Sequence, residues 1–296
     1  MLMSGMFPDP AKETIMSPLR QQMQADMVLR GLAPRTQEAY LAAVAGLAAY
    51  YRRSPDQLSQ DDVQRYLLHL IEERKLAWSS TNQAACALRF FFHVTLKQPD
   101  AGFIIPSRKA PAKLPEILSR GEVDRILGAC TSLRHRAILM TTYAAGLRVS
   151  ETCSLTLGDI DSRRMMIRVA NGKGGKDRYT LLPPLLLETL RLYWRAARPA
   201  QWLFPKTDGS QPINISQVQK MFQAAKRRAG VKKEGGIHSL RHAFATHLLE
   251  SGVDIHTIGR LLGHDKITTT ARYLHLQQQV AASDSPLDLL SALTKR

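Results

Sequence analysis

Four prolines within one stretch of twenty residues decide how this chain can be organised. From Lys97 to Glu116 it reads KQPDAGFIIPSRKAPAKLPE, with Pro99, Pro106, Pro111 and Pro115. Proline has no amide hydrogen and clashes with the preceding turn, so a helix cannot run through such a stretch. The segment is therefore expected to be an extended linker between two domains. Its Arg108, Lys109 and Lys113 would suit a phosphate backbone as well as a solvated tether. A chain of 296 residues then divides into an arm at 1–16, a helical domain at 17–98, the linker at 99–115 and a second domain at 116–296.

Both sides of the linker show helical patterning. SPLRQQMQADMVLRG offers Ser17 as an N-cap, Pro18 as first helical residue and Gly31 as the stop. Tyr40, Val44, Leu47 and Tyr51 recur on one stripe of a second helix. Ser59 and Asp62 resemble a capping box ahead of Val63, Tyr66, Leu67 and Leu70. A fourth helix carries Leu88, Phe91 and Phe92. Beyond the linker, Ser119 and Glu122 open a further run of helices, expected near 119–130, 133–145, 183–198, 214–229, 238–250 and 254–262. One β signal interrupts them: MMIRVA and RYTLLP flank NGKGGKD, the pattern of a hairpin. The fold class is thus mainly α with a small antiparallel β-sheet, in two domains.

Composition narrows the partner. Forty-one Lys and Arg face 25 Asp and Glu, a formal charge of +16, which favours a polyanion, nucleic acid above all. Charge alone leaves RNA and anionic lipid open. Cys86, Cys130 and Cys153 show no metal-ligand spacing and read as thiols in a reducing compartment. The run YLAAVAGLAAYY is too short to span a bilayer. The first residues lack a basic stretch followed by an apolar core, so a cytoplasmic location is expected.

Four places combine a cation or an imidazole with an element boundary. YAAGLRVSE puts Arg148 and Glu151 just past Gly146; NGKGGKD exposes Lys173 at a hairpin tip; HSLRH sets His238 and Arg241 on one helix face near its start; LLGHDKITTTARYLH carries His264 and, nine residues on, Tyr273. Singly, each is ordinary surface or packing, and His242 and His247 read as structural. Together they describe a phosphate site. Arginines can fork onto non-bridging oxygens, histidines can donate and shuttle protons, and a lysine can protonate a leaving alkoxide. A tyrosine hydroxyl becomes a nucleophile where a cationic pocket favours its anion. No carboxylate cluster suited to Mg²⁺ is evident, so no metal or other cofactor is expected.

These motifs, in this order, resemble the tyrosine recombinases of the phage integrase family, close to the Xer type. The likeness spans about residues 18 to 280. It implies a SAM-like four-helix domain and a recombinase catalytic domain that grip opposite faces of double-stranded DNA. It places the nucleophile on Tyr273 and the remaining catalytic groups on Arg148, Lys173, His238, Arg241 and His264, with Glu151 supporting the arginines. The implied chemistry is site-specific strand exchange through a 3′-phosphotyrosyl intermediate and a Holliday junction. The implied assembly is a homo-tetramer on DNA, or a hetero-tetramer with a second recombinase. In SPLDLLSALTKR, Leu287, Leu290 and Leu293 form a stripe suited to docking on a neighbour. An architectural DNA-binding protein with an idle site, and strand relaxation of the type IB topoisomerase kind, stay open as alternatives.

Overall fold

The computed structural model describes residues 17–98, 102–104, 116–170, 177–264, 267–271 and 273. Two compact units divide the chain, residues 1–112 and 113–296.

In the first unit, α1 (Pro18–Leu29) begins where the Ser17 hydroxyl accepts from the Arg20 amide at 3.4 Å. It ends at Gly31, whose φ of 64° lets the Leu32 amide reach back to the Met27 carbonyl. α2 (Pro34–Tyr51) and α3 (Gln60–Glu72) follow, the latter opened by the expected capping box: Asp62 accepts from the Ser59 amide at 2.9 Å, and Ser59 from the Asp62 amide at 3.2 Å. α4 (Trp78–Phe90) runs into a π-helical turn at Phe91–Thr95. Met23, Met27, Val44, Leu47, Val63, Leu67, Leu88, Phe91 and Phe92 are buried together. Each such side chain contributes about 1.5–3 kcal/mol of transfer free energy. Tyr40 and Tyr51 sit half-buried at the margins of the stripe.

Part of the proline-rich stretch also belongs to this core. Phe103 is 5% exposed and meets Phe92 edge-on at 6.2 Å. The amides of Gly102 and Ile104 donate to Gln60 and Gln64 at 3.2 and 2.8 Å. An aromatic ring between prolines gains too much from burial to be left in solvent. The arm at 1–16 and the cations Arg108, Lys109 and Lys113 lie outside the described residues.

The second unit opens with α5 (Arg120–Gly128), whose capping box pairs Ser119 with Glu122. α6 (Leu133–Ala144) is its central helix, with Ala137, Ile138, Leu139, Met140, Thr141 and Thr142 all buried. The two threonine hydroxyls donate to the carbonyls of Ala137 and Ile138, which makes their burial tolerable. α7 (Val149–Ser154) then leads to an antiparallel sheet of β1 (Ile160–Asp161), β2 (Met166–Val169) and β3 (Arg178–Leu181), in that order. Val169 pairs with Arg178 and Met166 with Leu181, the hairpin that the alternation predicts. β1 is two residues long, too short to leave a periodic signal. α8 (Pro184–Ala197), α9 (Ile215–Arg228), α10 (His238–Glu250), α11 (Ile255–Leu262) and α12 (Ile267–Ala271) complete the unit.

Several cations of the second unit make internal bonds. Lys226 is 8% exposed and donates to the Gly235 carbonyl, Arg228 donates to Ala129, and Lys233 donates to Glu122 and the Ile117 carbonyl, both at 2.7 Å.

Candidate active site

The site is assembled from the ends of elements, and a glycine makes the first corner. α6 stops at Ala144, and Gly146, at φ 61°, turns the chain. A Cβ built there would lie 2.3 Å from Phe244, so only glycine fits. Two residues later Arg148 becomes the N-cap of α7, and Glu151, at the third helical position, accepts from the Arg148 amide at 2.8 Å. That bond fixes the Glu151 carboxylate where other elements converge.

Glu151 is the hub of the pocket. It takes the Arg148 guanidinium at 2.8 Å, Arg178 from β3 in a bidentate pair at 2.9 and 2.7 Å, and Arg241 from α10 at 3.7 Å. Burial alone would raise its pKa; the Arg178 hydrogen bonds and charge, aided by Arg148, instead hold the carboxyl at about 2. Three guanidiniums around one carboxylate leave the pocket with surplus positive charge, an arrangement that attracts an anion.

Arg241 is 4% exposed. Desolvation, then the like charge of Arg148, lower its pKa to about 10, opposed by Glu151 and by the Tyr273 phenol; it stays protonated at neutral pH. It donates to the carbonyls of Gly146 and Leu262, each at 2.7 Å, and meets His264 Nε2 at 3.2 Å. A buried guanidinium must satisfy its donors, and these three bonds take three of its five. The sequence suggests two arginines forking onto a phosphate. Here Arg241 is mainly fixed positive charge, whereas Arg148, with a quarter of its side chain exposed, has the freer face.

His264 follows α11, which ends at Gly263 in the left-handed region. Because Arg241 can only donate, His264 Nε2 accepts, and the ring proton belongs on Nδ1, 2.8 Å from Thr270 Oγ1. In this state His264 presents no free donor, contrary to expectation. His238 begins α10 and is exposed. Desolvation of its ring, then Arg241 and Arg148, depress its pKa, with Glu151 opposing.

Tyr273 is 3% exposed and packs with Phe244, Ala245, Leu249, Ile258 and Leu262. Its hydroxyl lies 2.8 Å from His242 Nδ1. The structure thus brings Arg148, His238, Arg241, His264 and Tyr273 to one region. Lys173 lies outside the described residues. Among the described residues, no group of three or more His, Cys, Asp or Glu is arranged to hold a metal.

Two residues here escape sequence reading. Arg178 looks like an ordinary polar position at a strand start, yet it joins the hairpin to Glu151 and, through the Leu261 carbonyl at 2.9 Å, to α11. His242 reads as structural, yet it touches the candidate nucleophile. The available signal was its spacing: four residues after His238, it shares the helix face that carries Arg241.

Comparison with known proteins shows the family. Residues 116–280 match the phage integrase family and residues 19–100 the phage integrase N-terminal SAM-like domain. The chain is 47% identical to a Sinorhizobium fredii protein bearing an integrase/recombinase name, over 94% of this chain and 91% of that one. It is 35% identical to the tyrosine recombinase XerA of Thermococcus kodakarensis, over 86% and 89%. The crystal structure of XerA recombinase superposes with a TM-score of 0.52 at 26% identity, over 94% and 97% of the two chains. XerH bound to its palindromic difH substrate shares the fold, with a TM-score of 0.69 at 20% identity over 91% and 85%. The chain belongs to the phage integrase family, and within it is a tyrosine recombinase close to the Xer type.

Proposed function

We propose that this recombinase cuts and rejoins double-stranded DNA at specific sites through a 3′-phosphotyrosyl bond to Tyr273. The observation that carries the reading is the Glu151-centred set of three arginines beside the buried phenol. A scissile phosphate entering this pocket meets the exposed face of Arg148, the imidazole of His238 and the fixed charge of Arg241. Such preorganised charge acts where negative charge grows in the transition state. Tyr273 attacks phosphorus and the 5′-oxygen leaves, with Lys173 as its proton donor. The 5′-hydroxyl of a partner strand then reverses the step and exchanges strands. The bond energy stays in the phosphotyrosine, so the cycle needs no nucleotide.

The same reading takes a cytoplasmic protein and a homo-tetramer on DNA, or a hetero-tetramer with a second recombinase. The leucine spacing of residues 285–296 supports docking on a neighbour. That tail lies outside the described residues. No helix among the described residues is long and apolar enough to cross a membrane.

The deciding experiment uses a nicked substrate that traps the covalent adduct. Tyr273→Phe should bind duplex as the wild type does and yield no detergent-stable adduct. An adduct persisting in that variant would show that another residue is the nucleophile.

A further inference from the structure

We infer that His242 is the group that receives the Tyr273 proton during strand cleavage, an assignment that rests on the phosphotyrosyl reading above. An unperturbed phenol has a pKa near 10, so its attack on phosphorus requires that the proton leave. Tyr273 is 3% exposed, which denies the hydroxyl free access to bulk water as an acceptor. A protein group must then take the proton, and His242 Nδ1 lies 2.8 Å from the phenolic oxygen, within the reach that general-base catalysis requires. The neighbouring histidines are poorly disposed for the task. His264 has both ring nitrogens engaged, one by Arg241 and one by Thr270, and His238 stands a helical turn earlier, at the exposed start of α10.

The step balances. As the Tyr273 Oη–P bond forms, the proton moves from Oη to His242 Nδ1. As the P–O5′ bond breaks, the 5′-oxygen takes a proton from a separate acid. In rejoining, the 5′-hydroxyl returns its proton to that same acid, now in its basic form, the 5′-oxygen displaces Oη, and the His242 imidazolium returns its proton to the phenol. The positive charge of Arg241, next in sequence, favours the negative charge that develops on Oη as the proton leaves.

The test compares His242→Ala and His242→Asn with wild type in single-turnover cleavage of the nicked substrate. Asn keeps a polar group at this position but cannot take up a proton at neutral pH. Both variants should cleave roughly 10²-fold or more slowly with unchanged duplex affinity. Added imidazole should recover part of the His242→Ala rate, which a purely structural defect would not allow. A substrate carrying sulfur in place of the bridging 5′-oxygen needs no leaving-group acid, so it should leave both variants slow. Wild-type or faster cleavage by His242→Asn, no response of His242→Ala to imidazole, or full recovery with the sulfur substrate would each overturn the assignment. Should His242→Ala fail to fold, His242→Asn decides alone. A wild-type protein that forms no adduct would instead remove the phosphotyrosyl reading itself.

Discussion

Glu151 couples the ionisation of one carboxyl to the shape of the whole pocket. Its pKa is about 2 in the folded chain against an ordinary 4.5, so the unfolded state binds the proton more readily. The stabilisation is therefore complete above about pH 4.5 and fades as pH falls toward 2. At roughly 1.4 kcal/mol per pH unit, the side chain contributes about 3 kcal/mol near neutrality. Glu151→Gln keeps the size but leaves Arg148, Arg178 and Arg241 without their shared anion. Removing one partner from a buried ionic group typically costs about 3–5 kcal/mol. Denaturant unfolding at pH 7 should show a loss of this order, and the gap from wild type should narrow between pH 5 and pH 3. A gap that stays constant with pH would mean that the carboxylate charge is not what the arginines require.

At the scale of elements, the site depends on corners rather than on long helices. Gly146 has φ 61°, and an added Cβ would meet the Phe244 ring at 2.3 Å, with that ring itself 5% exposed. Gly146→Ala therefore combines left-handed strain of about 1–2 kcal/mol with overpacking of about 1–3 kcal/mol. A destabilisation of about 2–5 kcal/mol is expected in thermal or denaturant unfolding, and a variant as stable as wild type would show that the ring moves freely. These corners also mark what a linear sequence can reveal. The caps at Ser17, Ser59 and Ser119 and the paired strands of the hairpin are local, and reading them needs only neighbouring residues. Arg148, His238, Arg241, His264 and Tyr273, which the structure brings to one region, were singled out through motif order, a property of the chain as a whole. Arg178 was not, because its meaning lies in Glu151, twenty-seven positions earlier, and in the Leu261 carbonyl. His242 was hidden because its partner is thirty-one residues on. Phe103 was masked by its proline-rich surroundings.

For the molecule as a whole, the formal charge of +16 overstates what a polyanion can contact. Lys226, Arg228, Lys233, Arg178 and Arg241 each place at least one donor on a group inside the second unit. Affinity for duplex should still fall steeply with salt, by about 10³–10⁵ between 50 and 200 mM if six to ten phosphates are neutralised. Tyr273→Phe should follow the same line, since the substitution removes no Lys or Arg. Lys233 offers the sharper test. Its ammonium lies 2.7 Å from both Glu122 and the Ile117 carbonyl, so Lys233→Ala should lower the unfolding midpoint while leaving the slope of log affinity against log salt unchanged. A cation that contacts one phosphate contributes about 0.9 to that slope. Fluorescence anisotropy over a salt series resolves such a change, and a drop of that size in Lys233→Ala would place the lysine on the DNA instead of in the internal bonds that hold it here.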